Sequence, residues 1–256
     1  MIDARAIISP RAELASDVTV GAFTIIGADV SIGAGTIVGP HVVISGPTTI
    51  GADNHIFQFA SIGEAPQDKT YKGEPTELRI GDRNVIREFC TLNRGTTKEQ
   101  GVTRIGNDGL YLAYTHVAHD CDIGNNVILA NGTTMGGHVH IGDWGYVGGL
   151  SAIHQFVKIG AHAFLGGGSI LSRDVPPYVM VAGNPAVPHS INAEGLRRRG
   201  FTPDQIRNLK NAYRILYRSD LKLADAVEQL TGLALEQPEL RPLIEFIGDS
   251  TRSIVR

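Results

Sequence analysis

The sequence predicts a mostly β protein: a parallel β-helix over residues 1–190, followed by a C-terminal α-helical domain over residues 191–256. Three observations predict it. Aliphatic residues recur every six positions through the first part. Glycine falls on the same beat, with 27 of the 31 glycines before residue 193. The last 64 residues turn to Leu, Ala, Glu, Gln and Arg and hold 11 of the 23 Lys and Arg, a helix-forming composition.

The beat starts at Ile8 and steps through Leu14, Val20, Ile26, Ile32, Val38, Ile44, Ile50 and Ile56 to Ile62. It returns at Ile80, Ile86 and Leu92, and again from Ile105 to Leu171. A period this short cannot be a helix-pair repeat, which needs roughly 30 residues or more. It fits a short strand and a tight turn. At roughly 3.3 Å per residue, six residues make one side of a small prism, and three sides close it at about eighteen residues per coil. The aliphatics then stack inside, with the small or β-branched residue four positions later also facing inward, and each coil bonds to the next.

Two segments leave the beat: EAPQDKTYKGEPTEL, residues 64–78, and RGTTKEQGV, residues 94–102. Both are polar and contain Gly. They read as binding loops or as tolerated surface insertions. The boundary to the tail falls at about residues 186–194, beginning within NPAVPHSIN, residues 184–192. Thr202-Pro203-Asp204-Gln205 is a helix start, with Thr as cap, Pro at the first helical position and Gln three residues after the cap. That helix should end near Arg218, with others over residues 222–235 and 239–248. Helices there would cover the open end of the solenoid and its strand edge.

The charge balance, 23 Lys and Arg against 26 Asp and Glu, gives no basic bias toward nucleic acid. No secretory signal is visible, and no apolar run approaches the ~20 residues of a membrane helix, so no membrane insertion is expected. Two cysteines make no disulfide framework. A soluble, cytoplasmic protein is the expectation.

Candidate chemistry gathers around histidine. His116, His119, His138 and His154 occupy neither inward position, so they should point outward. Residues one coil apart lie above one another. His119, Gly137 and Gln155 form one column; Asp120, His138 and Phe156 form the next; Ala118, Gly136 and His154 flank them. One outer patch thus collects four histidines, Asp120, Gln155 and two glycines. It could serve proton transfer or a zinc ion, or each residue could be a surface or turn residue without a role. Cys90 and Cys121 fall at the inward small position and read as packing residues.

The stretches IGEAPQDKTYKGEPTELRIGDRNVIREF, THVAHDC, GGHVHIGD, HQFVKIGAH, DVPPYVMVAGNPA and INAEGLRRRGF together resemble the UDP-N-acetylglucosamine acyltransferase family, which acts first in lipid A synthesis. The resemblance runs nearly the whole length and implies the left hand of the β-helix, since strand crossovers are otherwise right-handed. It implies transfer of an (R)-3-hydroxyacyl chain from acyl carrier protein to the 3-hydroxyl of UDP-N-acetylglucosamine. The acyl donor rides on the carrier's phosphopantetheine arm, and no cofactor or metal is required. It implies a homotrimer with sites in clefts between subunits. His119 would be the general base, Asp120 its support and the Gly137 N–H the oxyanion donor. Asp68 would contact the sugar, across the subunit boundary. His116, His138, His154 and Gln155 would contact the sugar nucleotide. Asn192, Glu194, Arg198 and Arg199 would bind uridine and phosphates, for which guanidinium forks are suited. Basic residues around Arg197 and along Arg207, Lys210 and Arg214 would receive the acidic carrier. Gly167 would set acyl-chain length, and as glycine it suits a long chain. Thr70 stands where the family often has Lys, a contact Lys69 or Lys72 would take over, and Asn93 stands where it often has His. Other readings are N-acylation of a 3-amino UDP-sugar, a hexapeptide-repeat zinc enzyme of carbonic anhydrase type, and a non-catalytic scaffold.

Overall fold

The computed structural model describes residues 1–256. Short parallel strands, most of two residues, stack into three sheets of nine, eight and ten strands. Each sheet is one face of a triangular prism, and the chain visits the faces in turn as a left-handed parallel β-helix. The register gives the coil directly: Ile25 pairs with Val43 and Val43 with Ser61, a step of eighteen. The aliphatics on the beat fill the interior; Ile26, Ile44, Ile62, Leu92 and Val117 are all 1% exposed or less. Burial of each such side chain contributes about 1.5–3 kcal/mol.

The corners between faces turn on residues in left-handed backbone, many of them not glycine: Phe23, His41, Asp120 and His138 have φ of 60°, 57°, 58° and 63°. Identical corners set like residues above one another. Phe23, His41, Phe59, Phe89 and Tyr114 stack in one ladder with ring centroids 4.9 to 5.3 Å apart. At another corner Asn125 bonds Asp143 one coil on, through Nδ2 to Oδ1 at 3.2 Å.

Both excursions leave from the same corner, between the nine-stranded and eight-stranded faces. The first joins Ser61–Glu64 to Glu77–Ile80 and the second joins Thr91–Asn93 to Val102–Ile105. Ile50 pairs with Ile80 and Ile80 with Ile105, so the prism resumes in register after each loop.

At the open end, Val179–Gly183 pairs antiparallel with Ala186–Ile191. The segment read from sequence as a boundary is therefore mostly a strand. That strand lies at the edge of the ten-stranded sheet, where Pro188 is tolerated. The helices are α1 (Ala193–Arg198), α2 (Pro203–Arg218), α3 (Leu223–Leu233) and α4 (Arg241–Gly248), with a 3₁₀ turn at Pro238–Leu240. α1 was not foreseen; it is capped by Asn192, whose Oδ1 accepts from the Gly195 N–H at 3.1 Å. The expected capping box of α2 is present, with Thr202 and Gln205 bonding each other's backbone N–H at 3.2 and 2.9 Å. α2 buries Ile206, Leu209, Ala212 and Leu216. The chain end returns to the β-helix, where the Val255 N–H donates to Asp174 at 2.8 Å. No helix is long and apolar enough to cross a membrane.

Candidate active site

His119 and Asp120 sit at the corner between His116–Val117 on the nine-stranded face and Asp122–Ile123 on the eight-stranded face. This is the corner from which both loops depart. His119 Nδ1 lies 2.8 Å from Asp120 Oδ2. The other donors to Asp120 come from the second loop: the Thr96 N–H to Oδ1 at 2.8 Å and the Thr96 hydroxyl to Oδ2 at 2.6 Å. Burial alone would raise the Asp120 pKa, but the bonds from His119 and Thr96, with His138 nearby, hold it below its ordinary value. The carboxylate is therefore ionised at neutral pH and accepts from His119 Nδ1–H. That leaves the Nε2 lone pair free.

Asp120 is no solvated turn residue: its side chain is 1% exposed, because the 94–102 loop folds over it. The same loop covers His138. That ring avoids the core, as its phase requires, yet is 4% exposed. It stacks on Phe156 at 4.3 Å, with Glu99 Oε1 3.0 Å from its Nδ1 and Asp120 Oδ2 3.7 Å from its Nε2. His116 Nδ1 meets the Thr91 hydroxyl at 2.7 Å, and burial, then the neighbouring His119, lowers its pKa. His154 and Gln155 lie exposed two coils above His119, one above Gly136 and Gly137.

Gly137 stands against the imidazole. A Cβ there would lie 2.7 Å from His119 Nε2 and 2.8 Å from Nδ1, so only glycine leaves the ring its place. The Gly137 N–H has no acceptor within the chain.

Asp68 joins this group through the second loop. Lys98 Nζ reaches its Oδ2 at 2.6 Å, and Thr70 donates to its Oδ1 from both N–H and hydroxyl, at 2.8 and 2.9 Å. Lys98 and Thr70 hold the Asp68 carboxyl well below the usual carboxylate range. Asp68 is thus tied through Lys98 to the loop that grips Asp120 of the same chain. Thr70 is turned to Asp68, and the cation beside Asp68 is Lys98. Asn93, where the family often has His, is buried and donates to Ala65 O at 3.1 Å.

The second set of expected residues lies elsewhere. Asn192, Glu194, Arg198 and Arg199 line a cavity of about 670 Å³ over the ten-stranded face, with Trp144, Tyr146 and His162. Arg199 lies over the Trp144 ring at 5.0 Å and 3.3 Å from His162 Nδ1. Burial, and then Arg199, pushes the His162 pKa down to about 4. Glu194 pairs with Arg197 and Arg198. Asn192 is buried and committed, capping α1 and donating to His162 O at 3.0 Å. Gly167 is exposed at a third corner, between Phe164–Leu165 and Ile170–Leu171. Thr96, Lys98, Glu99, Trp144 and His162 touch the expected site residues or line the same cavity, and the sequence did not single them out; only the loop containing the first three was marked out, by its break in the beat.

His119, Asp120 and His138 offer a nitrogen, an oxygen and a nitrogen within 4.8 Å of one another, a possible metal donor set. A metal would have to replace the His119 bond to Asp120, and the set holds two histidines rather than three. The cysteines do not contribute. Both are buried, and burial pushes the Cys90 thiol up to about 11 and the Cys121 thiol to about 12.

Residues 174–255 match the family model described as Udp N-acetylglucosamine O-acyltransferase, domain 2, and residues 11–46 match the bacterial transferase hexapeptide repeats. The chain is 56% identical to an acyl-[acyl-carrier-protein]–UDP-N-acetylglucosamine O-acyltransferase of Herminiimonas arsenicoxydans, over 100% of this chain and 99% of that one. Among solved structures, the UDP-N-acetylglucosamine acyltransferase of Francisella novicida superposes with a TM-score of 0.98 at 42% identity, covering 100% of this chain and 94% of that one. The O-acyltransferase of Moraxella catarrhalis does so at 0.98 and 45%, covering 100% and 99%.

Proposed function

The chain belongs to the UDP-N-acetylglucosamine O-acyltransferase family, and from that premise we propose that it transfers an (R)-3-hydroxyacyl chain from acyl carrier protein to the 3-hydroxyl of UDP-N-acetylglucosamine in lipid A synthesis. The observation that carries the reading is the His119–Asp120 pair, joined at 2.8 Å with Gly137 against the ring.

Asp120 accepts from Nδ1–H and fixes the tautomer, so Nε2 takes the proton of the sugar hydroxyl. The hydroxyl oxygen attacks the thioester carbonyl carbon. Negative charge moves to the carbonyl oxygen, where the unpaired Gly137 N–H is the available donor; such preorganised donors supply much of the rate in acyl transfer. Collapse of the tetrahedral intermediate forms the ester, breaks the carbon–sulfur bond and expels the phosphopantetheine thiolate, to which the imidazolium returns its proton. Asp120 stabilises the imidazolium throughout. The acyl group arrives on the carrier protein, so this chain needs no cofactor of its own.

A homotrimer with the site between copies, which the family implies, is supported by the placing of the two residue sets. The His119 corner joins the nine-stranded and eight-stranded faces, and in a triangular prism that corner lies opposite the ten-stranded face bearing Arg198 and Arg199. One chain cannot bring both to one substrate, but the corner of one copy and the face of the next can. Exposed aromatics of the ladder, Phe23 at 51%, Phe59 at 48% and Tyr114 at 62%, suit burial in such an assembly. Arg198 and Arg199 would then hold the diphosphate, while His116, His138, His154, Gln155 and Asp68 position the sugar. Gly167 would border the far end of the acyl chain.

The test offers purified protein UDP-N-acetylglucosamine and 3-hydroxyacyl carrier proteins of several chain lengths. The expected product has the mass of the sugar nucleotide plus one hydroxyacyl group, with the ester cleaved by mild base. No product with any chain, or product only from the 3-amino sugar nucleotide, would overturn the reading.

A further inference from the structure

The loop from Arg94 to Gly101 reaches three site residues from three of its own positions. Thr96 holds both oxygens of Asp120, Lys98 holds Asp68, and Glu99 lies 3.0 Å from His138. The loop is itself anchored. Its Arg94 N–H donates to Glu64 O and its Gly95 N–H to Glu77 O, each at 3.1 Å. The Arg94 guanidinium reaches Gly46 O and, at 3.3 Å, the Tyr71 hydroxyl of the first loop. The excursion is therefore tied to the coil and to its sister loop, and what it presents to the dyad is held in place.

Thr96 is the centre of this arrangement. It is 3% exposed, and its two donors grip the two oxygens of one carboxylate. Two contacts fix the carboxylate plane, where one would leave a free rotation. Asp120 Oδ2 is shared between the Thr96 hydroxyl and His119 Nδ1. The position of that oxygen decides whether Nδ1–H points along a lone pair. The plane of the imidazole, and hence the aim of Nε2, depends on it.

We propose that Thr96 is a positioning residue for the acyl transfer: its hydroxyl and N–H together orient Asp120, and through it the reactive edge of His119. The proposal rests on the function assigned above. Its prediction separates catalysis from binding, because Thr96 touches the dyad and no residue of the Arg198–Arg199 cavity.

Two variants test it. Thr96→Val keeps the shape and the N–H but removes the hydroxyl donor; Thr96→Ser keeps the hydroxyl. The expected result is a kcat lowered roughly tenfold or more in Thr96→Val, the scale of one lost hydrogen bond to a charged group. KM for the sugar nucleotide should stay within about twofold, and Thr96→Ser should recover most of kcat. A Thr96→Val enzyme with wild-type kcat overturns the proposal. So do equal losses in Val and Ser, which would mean that the side chain acts by packing. A second readout does not depend on turnover. Nitrogen-15 NMR of the His119 side chain should show Nδ1–H as the dominant tautomer in the native protein, and a more mixed population in Thr96→Val. If the native protein shows no acyl transfer, the function assigned above fails and the NMR comparison alone decides the role of Thr96; an unchanged tautomer population then refutes it.

Discussion

Gly137→Ala is the sharpest perturbation of the candidate site, because it adds one methyl group and nothing else. The methyl carbon would sit 2.7 Å from His119 Nε2, inside the normal contact distance of about 3.5 Å. Cε1 lies closer still to that carbon, so the ring must retreat by about 1 Å to relieve the contacts. Such a shift strains the 2.8 Å bond from Nδ1 to Asp120 Oδ2 and moves Nε2 off the sugar hydroxyl. A misplacement of about 1 Å costs on the order of a hundredfold in rate. The Gly137 backbone is not in the left-handed region, so alanine meets no dihedral penalty there. Its N–H is retained as well, so the oxyanion donor survives and the loss falls on the base. The assay is steady-state acyl transfer with product read by mass spectrometry, alongside a thermal melt. The expected outcome is kcat down about a hundredfold with the melt little changed. A variant within threefold of wild-type kcat would refute the placement of the reactive imidazole against Gly137.

Arg198→Ala should raise KM for the sugar nucleotide more than it lowers kcat, measured by varying the nucleotide at saturating acyl carrier protein. Protomers carrying His119→Ala, refolded with protomers carrying Arg198→Ala and Arg199→Ala together, should regain activity that neither has alone, since mixed assemblies contain some intact pairs of corner and face; no gain in mixtures would place both sets in separate sites. His162 has its pKa lowered to about 4 from 6.5, so between those values the unfolded chain binds more protons than the folded one. Stability should therefore fall as pH drops from about 6.5 toward 4, and His162→Gln should flatten that slope in melts taken across the range. Treatment with a strong chelator should leave the rate unchanged, whereas a rate that falls and returns with added zinc would favour the metal reading of His119, Asp120 and His138.

Much of the fold was legible because a six-residue period admits few solutions. The inward phase of Ile26 or Leu129 follows from counting alone, and so does the placing of His119 beneath Gly137. The α2 start was legible because Thr202 and Gln205 form a local motif whose bonds span three residues. The strand Ala186–Ile191 was hidden, since its proline and polar residues imitate a linker and its pairing is set by a partner strand. α1 was hidden because six residues carry little periodicity. The covering of Asp120 and His138 depends on where a polar loop folds back, and no local pattern fixes that. The break in the beat located the loop, while the grip of Thr96 on Asp120 is a tertiary contact across 24 residues.

The measurement that bears most directly on the His119–Asp120 dyad is kcat for His119→Ala, with oligomer size and circular dichroism taken on the same samples. A loss of roughly 10²–10⁴-fold is expected for removal of a general base. The assembly and spectrum should be unchanged, because His119 lies outside the apolar interior. A variant that turns over within tenfold of the native rate, still folded and assembled, would contradict the assignment of His119 as the base.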